Sequence, residues 1–203
     1  MTRRAILLGL FLAAFSFSQT PYISELQKRA EGGDAAAQAK LGEMYYDGQG
    51  VHQDDAEAAK WIRKSAVQGD AEAQYILGVM YNSGRGVRKD LTEALRWYRK
   101  AADQGHLDAE YTVGGMTEDN SEAVKWYRKA ADQGFKDAYI TLGDMYYDGL
   151  RGLPQDYSEA VRWWRKAADQ GNDWAESALG AMYYDGKGVP QSYAEGGITR
   201  AFR

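Results

Sequence analysis

The chain has 203 residues, 44% of them hydrophobic and 27% charged, an ordinary globular balance that excludes a disordered chain. Its 25 Lys and Arg are outnumbered by 29 Asp and Glu, for a net charge of −4, which argues against a general nucleic-acid binder. There is no cysteine and there are two histidines, so disulfides, thiolate zinc, iron–sulfur clusters and a cysteine nucleophile are excluded, and neither a metal site nor a cofactor is expected.

In chain order, residues 1–18 read as a secretory signal peptide. Arg3 and Arg4 form a basic start, and Ala5 to Phe17 is an unbroken apolar run, shorter than the ~20 residues that cross a bilayer as a helix. Ser16-Phe17-Ser18 offers small residues for cleavage before Gln19, and no cysteine comes after it for a lipid anchor. An uncleaved anchor and a buried N-terminal helix are the alternatives. The expected location is exported, periplasmic or secreted, with no membrane span once the signal is removed.

From residue 19 onward the pattern repeats. Residues 19–33 look like the end of one helix, with Leu26, Ala30 and Gly33 in register, and are expected to cap the first full repeat. Lys60-Trp61-Ile62-Arg63-Lys64-Ser65-Ala66 then recurs as Arg96 to Ala102, Lys125 to Ala131 and Arg162 to Ala168. A second block, Leu41-Gly42-Glu43-Met44-Tyr45-Tyr46-Asp47-Gly48, recurs at Leu77, Leu142 and Leu179. The repeats fall at about 34–69, 70–105, 106–134, 135–171 and an incomplete 172–203.

Each repeat predicts two helices. Helix A spans Ala35 to Asp47 in the first, with Ala37, Leu41, Met44 and Tyr45 on one face, and glycine stops it at Gly48-Gln49-Gly50. Helix B opens at a capping box, Asp54 with Glu57, repeated at Asp90/Glu93, Asp119/Glu122, Asp156/Glu159 and Ser192/Glu195. The Arg-Lys pairs of its last turn suit the helix dipole and read as a solvated face. Trp61, Trp97, Trp126 and Trp163 are expected to pack repeat on repeat, and Gly42, Gly78 and Gly143 to let helix A approach a neighbour closely.

This alternation of A-x-A-Q-x-x-L-G-x-M-Y-x-x-G-x-G-V with D-x-x-E-A-x-x-W-x-R-K-A-A-x-Q-G resembles the Sel-1-like repeat, a relative of the tetratricopeptide repeat, over about Asp34 to Tyr193. The resemblance implies an all-α fold, a right-handed α/α superhelical solenoid of helix–turn–helix repeats. It also implies adaptor or scaffold work on other proteins or peptides.

Three stretches depart from the pattern. In the third repeat Gly114-Gly115-Met116 runs into Thr117 with no Gly-x-Gly-Val loop, so a truncated helix A is expected there. The fourth has an extra residue within Gly149-Leu150-Arg151-Gly152. In the last, Gly196-Gly197 and Thr199 replace the expected alanine, branched residue and tryptophan. A truncated reading frame, a frayed tail and an open end that docks another chain all fit that departure.

No catalytic pattern emerges. His52 reads as a solvated loop residue and His106 as a linker, and no nucleophile-elbow, Walker or dinucleotide glycine motif is present. Helix-A positions that vary between repeats are therefore the candidate partner contacts on the concave side: Glu43, Val79 and Asp144, then Tyr46, Asn82, Tyr147 and Tyr184. The expected function is an exported, non-catalytic scaffold for a protein or peptide. A β-lactamase-like envelope hydrolase, as in cysteine-rich relatives, and a non-functional remnant are the alternatives.

Overall fold

A helix needs an apolar stripe to bury and something to satisfy its first amides; both are supplied at regular intervals along this chain. The computed structural model describes residues 21–150 and 153–192. The expected signal peptide, part of the Gly149–Gly152 loop and nearly all of the final helix B lie outside them. The described residues hold ten helices and no strand. These are α1 (21–31), α2 (Ala35–Asp47), α3 (Asp55–Val67), α4 (Ala71–Ser83), α5 (Leu91–Asp103), α6 (Leu107–Met116), α7 (Asn120–Asp132), α8 (Lys136–Asp148), α9 (Tyr157–Ala168) and α10 (Asp173–Asp185). From α2 onward, even-numbered helices are A and odd-numbered ones B. The chain divides into two compact units, Met1–His106 and Leu107–Arg203.

Within the first unit α2 packs on α3, α3 on α4 and α4 on α5; within the second, α6 to α10 pack in the same serial way. In each of the first four repeats the two helices meet at one glycine. A Cβ on Gly42 would lie 2.6 Å from Ile62, one on Gly78 2.6 Å from Tyr98, and one on Gly114 2.9 Å from Tyr127. At Gly143 it would run into the Trp164 indole. The residue just after each repeat tryptophan thus lies flat on helix A of its own repeat. Burial pushes the Tyr98 hydroxyl up to about 12.

The tryptophans face the other way. Trp61 is buried with Leu26 and Ala30 of α1 and Leu41 and Met44 of α2; Trp97 is buried with Ile62 and Ala66 of α3 and Leu77 of α4. Trp163 is buried in the second unit's core. Trp126 is only half-buried, and its indole N–H donates to Glu122 at 3.3 Å. Short α6, with 10 residues against 13 in the other A helices, marks the irregular third repeat.

Four aspartates cap the B helices. Asp54, Asp90, Asp119 and Asp156 each accept from two amides of the first turn. The reciprocal half of the expected capping box does not form at Asp54, Asp90 or Asp156. Their own amides donate to Tyr45, Tyr81 and Tyr146 carbonyls at the end of the preceding helix A. That leaves Glu57, Glu93 and Glu159 to pair with Lys60, Arg96 and Arg162 one turn on.

The basic pairs on helix B are not merely a solvated face. Lys64, Lys100, Lys129 and Lys166 each fold over the tryptophan three residues earlier, at 3.8, 4.2, 4.0 and 4.4 Å from a ring centroid. Arg63 and Arg128 donate to the hydroxyls of Tyr81 and Tyr146 in the next repeat, both at 2.6 Å, and Arg165 does the same to Tyr183. A second link between repeats runs through buried amides. Gln38 donates to the Ala30 carbonyl at 2.9 Å and accepts from Gln68 at 2.8 Å; Gln74 donates to Ala66 at 3.0 Å and accepts from Gln104 at 2.8 Å. The second glycine of the Gly-x-Gly loop makes a third link. Gly86, at φ +70°, sits so close to α3 that any Cβ would run into the Asp55 carbonyl.

This packing makes two stability predictions. Gly78→Leu is expected to lower stability by well over ~1 kcal/mol, because Tyr98 has nowhere to go without opening the α4–α5 contact; a circular dichroism melt no lower than wild type would refute it. Ser65 is fully buried with its hydroxyl unpaired, where the other repeats place Ala101, Ala130 and Ala167. Ser65→Ala is expected to stabilise by about 1 kcal/mol, raising Tm by ~2–4 °C.

Candidate functional site: a cleft on the helix-A surface of each unit

Positions on helix A that face neither helix B nor the next repeat's core are free of packing constraint. In each unit they border a cleft between successive A helices, floored by the helix-B residue that lies on the repeat glycine. In the first unit the cleft lies between α2 and α4, with Ile62 of α3 at its floor and a volume of about 480 Å³. Glu43, Tyr46 and Asp47 form one wall; Glu72, Tyr75, Ile76 and Val79 form the other. In the second unit the equivalent cleft lies between α8 and α10, over Trp164 of α9, with about 350 Å³. Asp144, Tyr147 and Asp148 face Trp174, Ala178, Ala181 and Asp185 across it.

Five of the seven candidate contacts read from the sequence are thereby gathered: Glu43, Tyr46 and Val79 in one cleft, Asp144 and Tyr147 in the other. Asn82 and Tyr184 line neither cleft; both are exposed, Tyr184 at 57%. They lie one turn beyond Gly78 and Gly180, at the ends of their helices, where the A helices pass into the Gly-x-Gly loops.

The tyrosines also serve structure. Tyr46 lies under the Arg85 guanidinium, 3.4 Å from the ring centroid. That arginine also donates to the Tyr46 carbonyl at 2.7 Å and to Asp55 at 2.8 Å. Tyr147 packs on Tyr157 and Trp164, with centroids 5.4 and 5.3 Å away.

The clefts share a plan and differ in chemistry. In the first, two of the three carboxylates have partners: Glu43 pairs with Lys40 and Glu72 meets the His106 imidazole, both at 3.0 Å. His106 is no mere linker, since its ring also stacks on Tyr75 with centroids 4.6 Å apart. In the second, Asp144 accepts the Trp164 indole N–H at 3.1 Å, and Asp185 pairs with Lys187 at 3.2 Å. Neither Asp144 nor Asp148 forms an ion pair among the described residues. Burial raises the Asp144 carboxyl above its ordinary value of 3.8, the indole N–H opposes that shift, and the Asp148 charge adds to it.

Trp174 is the functional candidate that the sequence pattern concealed. It is 50% exposed and meets Trp164 edge-on, with centroids 5.6 Å apart and planes at 81°. The signal was available: the same place in the other A helices is held by Ala36, Glu72, Asp108 and Asp137, none of which is aromatic. Among the described residues no group of three His, Asp or Glu could hold a metal ion, and no helix is long and apolar enough to cross a membrane.

Since Asp144 holds its proton more tightly folded than unfolded, its ionised form costs stability at neutral pH. That cost shrinks as pH falls through the folded value and vanishes below the unfolded one. Asp144→Asn keeps an oxygen for the Trp164 indole. It is expected to melt higher than wild type at about pH 7 and together with wild type at about pH 3, read by paired thermal melts. A difference that persists at the acidic end would contradict a charge-based cost.

The Sel1 repeat family matches residues 35–70, 71–106, 110–135, 136–172 and 175–196. No curated protein matches the chain. Among solved structures, a protective antigen present in uropathogenic Escherichia coli strains and displaying an SLR fold is 37% identical, with a TM-score of 0.76 over 87% of this chain. The match covers 41% of that antigen, so the chain spans about two fifths of its length. A Sel1 repeat protein from Oxalobacter formigenes is 34% identical, with a TM-score of 0.72 over 82% of this chain and 69% of its own. With five matched repeats and stacked helix hairpins, the chain belongs to the Sel1 repeat family of all-α solenoid proteins.

Proposed function

We propose that this protein is an exported, non-catalytic scaffold that holds a protein or peptide segment on its helix-A surface. Family membership suggests protein interaction in general terms. The observation that carries the finer reading is the pair of clefts between successive A helices, whose walls bring together helix-A residues that differ between repeats. Each is walled by aromatic residues, which offer large contact area with few rotors and polar tips for hydrogen bonding. Volumes of about 480 and 350 Å³ suit one or two side chains of an extended segment rather than a globular surface. Export rests on the basic start and apolar run of residues 1–17 and on the small residues before Gln19. Neither the family nor the clefts favour a hydrolase.

The test is site-specific photo-crosslinking in the native host, from Val79 and Ala181 in the clefts and from exposed Arg96 on helix B as the control. Discrete adducts from the two cleft positions, missing from Arg96 and enriched in the exported fraction, are the expected outcome. The same adducts from all three positions, or none from the clefts, would overturn the groove; adducts confined to the cytoplasm would overturn export.

A further inference from the structure

We propose that the cleft of the second unit is built for a cationic side chain, a lysine or arginine carried on a peptide segment. The inference rests on the scaffold reading and names the chemistry of the partner at one of its clefts.

Three observations converge. The first is the aromatic walls: Trp174, Trp164 and Tyr147 enclose the cleft, with the Trp174 indole half exposed. The negative face of an aromatic ring attracts ammonium and guanidinium groups, indole most strongly. The second is unneutralised charge. Asp144 and Asp148 lie on one wall with no cation of this chain paired to either among the described residues, and Asp148 raises the cost of ionising half-buried Asp144. A guest cation would relieve both. The third is the comparison within the chain. In the first unit's cleft Glu43, the counterpart of Asp144, is already paired with Lys40, and Arg85 already covers the ring of Tyr46, the counterpart of Tyr147. Glu43 thus has its own cation, whereas its counterpart Asp144 has none among the described residues and stands beside a richer aromatic wall; the second cleft's own lysine, Lys187, is taken by Asp185.

The small residues opposite favour the same occupant. Ala178 and Ala181 line the second cleft where Ile76 and Val79 line the first, leaving the space beside Trp174 to a guest. An apolar guest would strand the Asp144 and Asp148 charges, and an acidic one would be repelled. Lys187 remains with Asp185 and over Tyr157, so it is not the missing partner of Asp144 or Asp148.

The experiment uses the full chain and four pools of capped nonapeptides, fixed at the centre as lysine, arginine, norleucine or glutamate and otherwise random, with fluorescence polarisation as the readout. The lysine or arginine pool is expected to bind at least tenfold more tightly than the norleucine pool, with the glutamate pool weakest. Trp174→Ala, and Asp144→Asn combined with Asp148→Asn, are expected to erase that preference, while Arg96→Gln on the exposed face of helix B leaves it intact. Trp174 is exposed enough that its loss should spare the fold, which a thermal melt checks. Equal binding of norleucine, or a cation preference that survives Trp174→Ala, would overturn the proposal. So would tetramethylammonium chloride binding as tightly as the peptides, which would mark a site for a free small cation. None of these failures touches the scaffold reading, which stands or falls with the crosslinks from Val79 and Ala181.

Discussion

The tightest constraint in this protein is the meeting of helix A with helix B at a residue that has no side chain. Ile62, Tyr98, Tyr127 and Trp164 differ in size and shape, yet each lies against a glycine, Gly42, Gly78, Gly114 and Gly143, at a distance that no Cβ tolerates. Because the pair is this close, the tryptophan one residue earlier is turned away from its own helix-A glycine toward the preceding repeat. Trp61 reaches α1 and Trp97 reaches α3 in this way. One contact therefore sets both the thickness of a repeat and the direction in which it hands its apolar surface to the next. A solenoid whose stability is a sum of repeat and neighbour terms depends on that geometry being reproduced each time.

The links between repeats are then set by the groups within reach. Arginine two places after the tryptophan meets a tyrosine of the next helix A. The helix-A glutamine reaches a carbonyl near the end of the previous helix B while the glutamine before its own repeat's terminal glycine holds it in place, and the second loop glycine sits on the opening residue of the previous helix B. Polar groups that would be costly to bury alone are thereby paired across the seam. Ser65 shows the cost of missing such a partner, since its position is alanine in every other repeat that retains the motif.

Much of this was legible in the sequence, and the reasons are local. Helix A of the first repeat begins and ends where the apolar spacing, Asp34 and Gly48 place it, because caps and left-handed glycines act within a few residues. The short α6 was legible for the same reason. The features that escaped the sequence depend on residues distant in the chain. The glutamate of the capping box looks poised to reach back to the Asp54 amide. That amide is already held by the Tyr45 carbonyl across the loop, a bond no linear pattern announces. Arg63 and Lys64 looked like solvent-facing charge because their aromatic partners sit one turn or one repeat away. At the site, variation along helix A pointed to five residues that do line a cleft. Asn82 and Tyr184 vary in the same way, but variation marks freedom from packing, not membership of a cleft. Trp174 belongs to a different column, in the first turn of helix A, whose residues differ just as widely and whose nearness to the cleft only the packing of α10 reveals.

Packing and binding are separable at the rim of each cleft but not at its floor. Trp164 lies on Gly143, donates to Asp144 and floors the cleft, so any change there alters the repeat contact and the guest surface together. Ile62 holds the same double position in the first unit. The rim is different. Val79, Trp174 and Ala181 touch solvent and no repeat glycine, so they can change without disturbing the A–B contact. Divergence should therefore concentrate at the rim while the floor keeps a bulky apolar residue. The two clefts already show this pattern: both floors are large and buried, whereas one rim carries Ile76 and Val79 and the other Trp174 with two alanines. A repeat fold of this kind acquires new partners by exchanging rim residues over a floor that the repeat contact holds fixed.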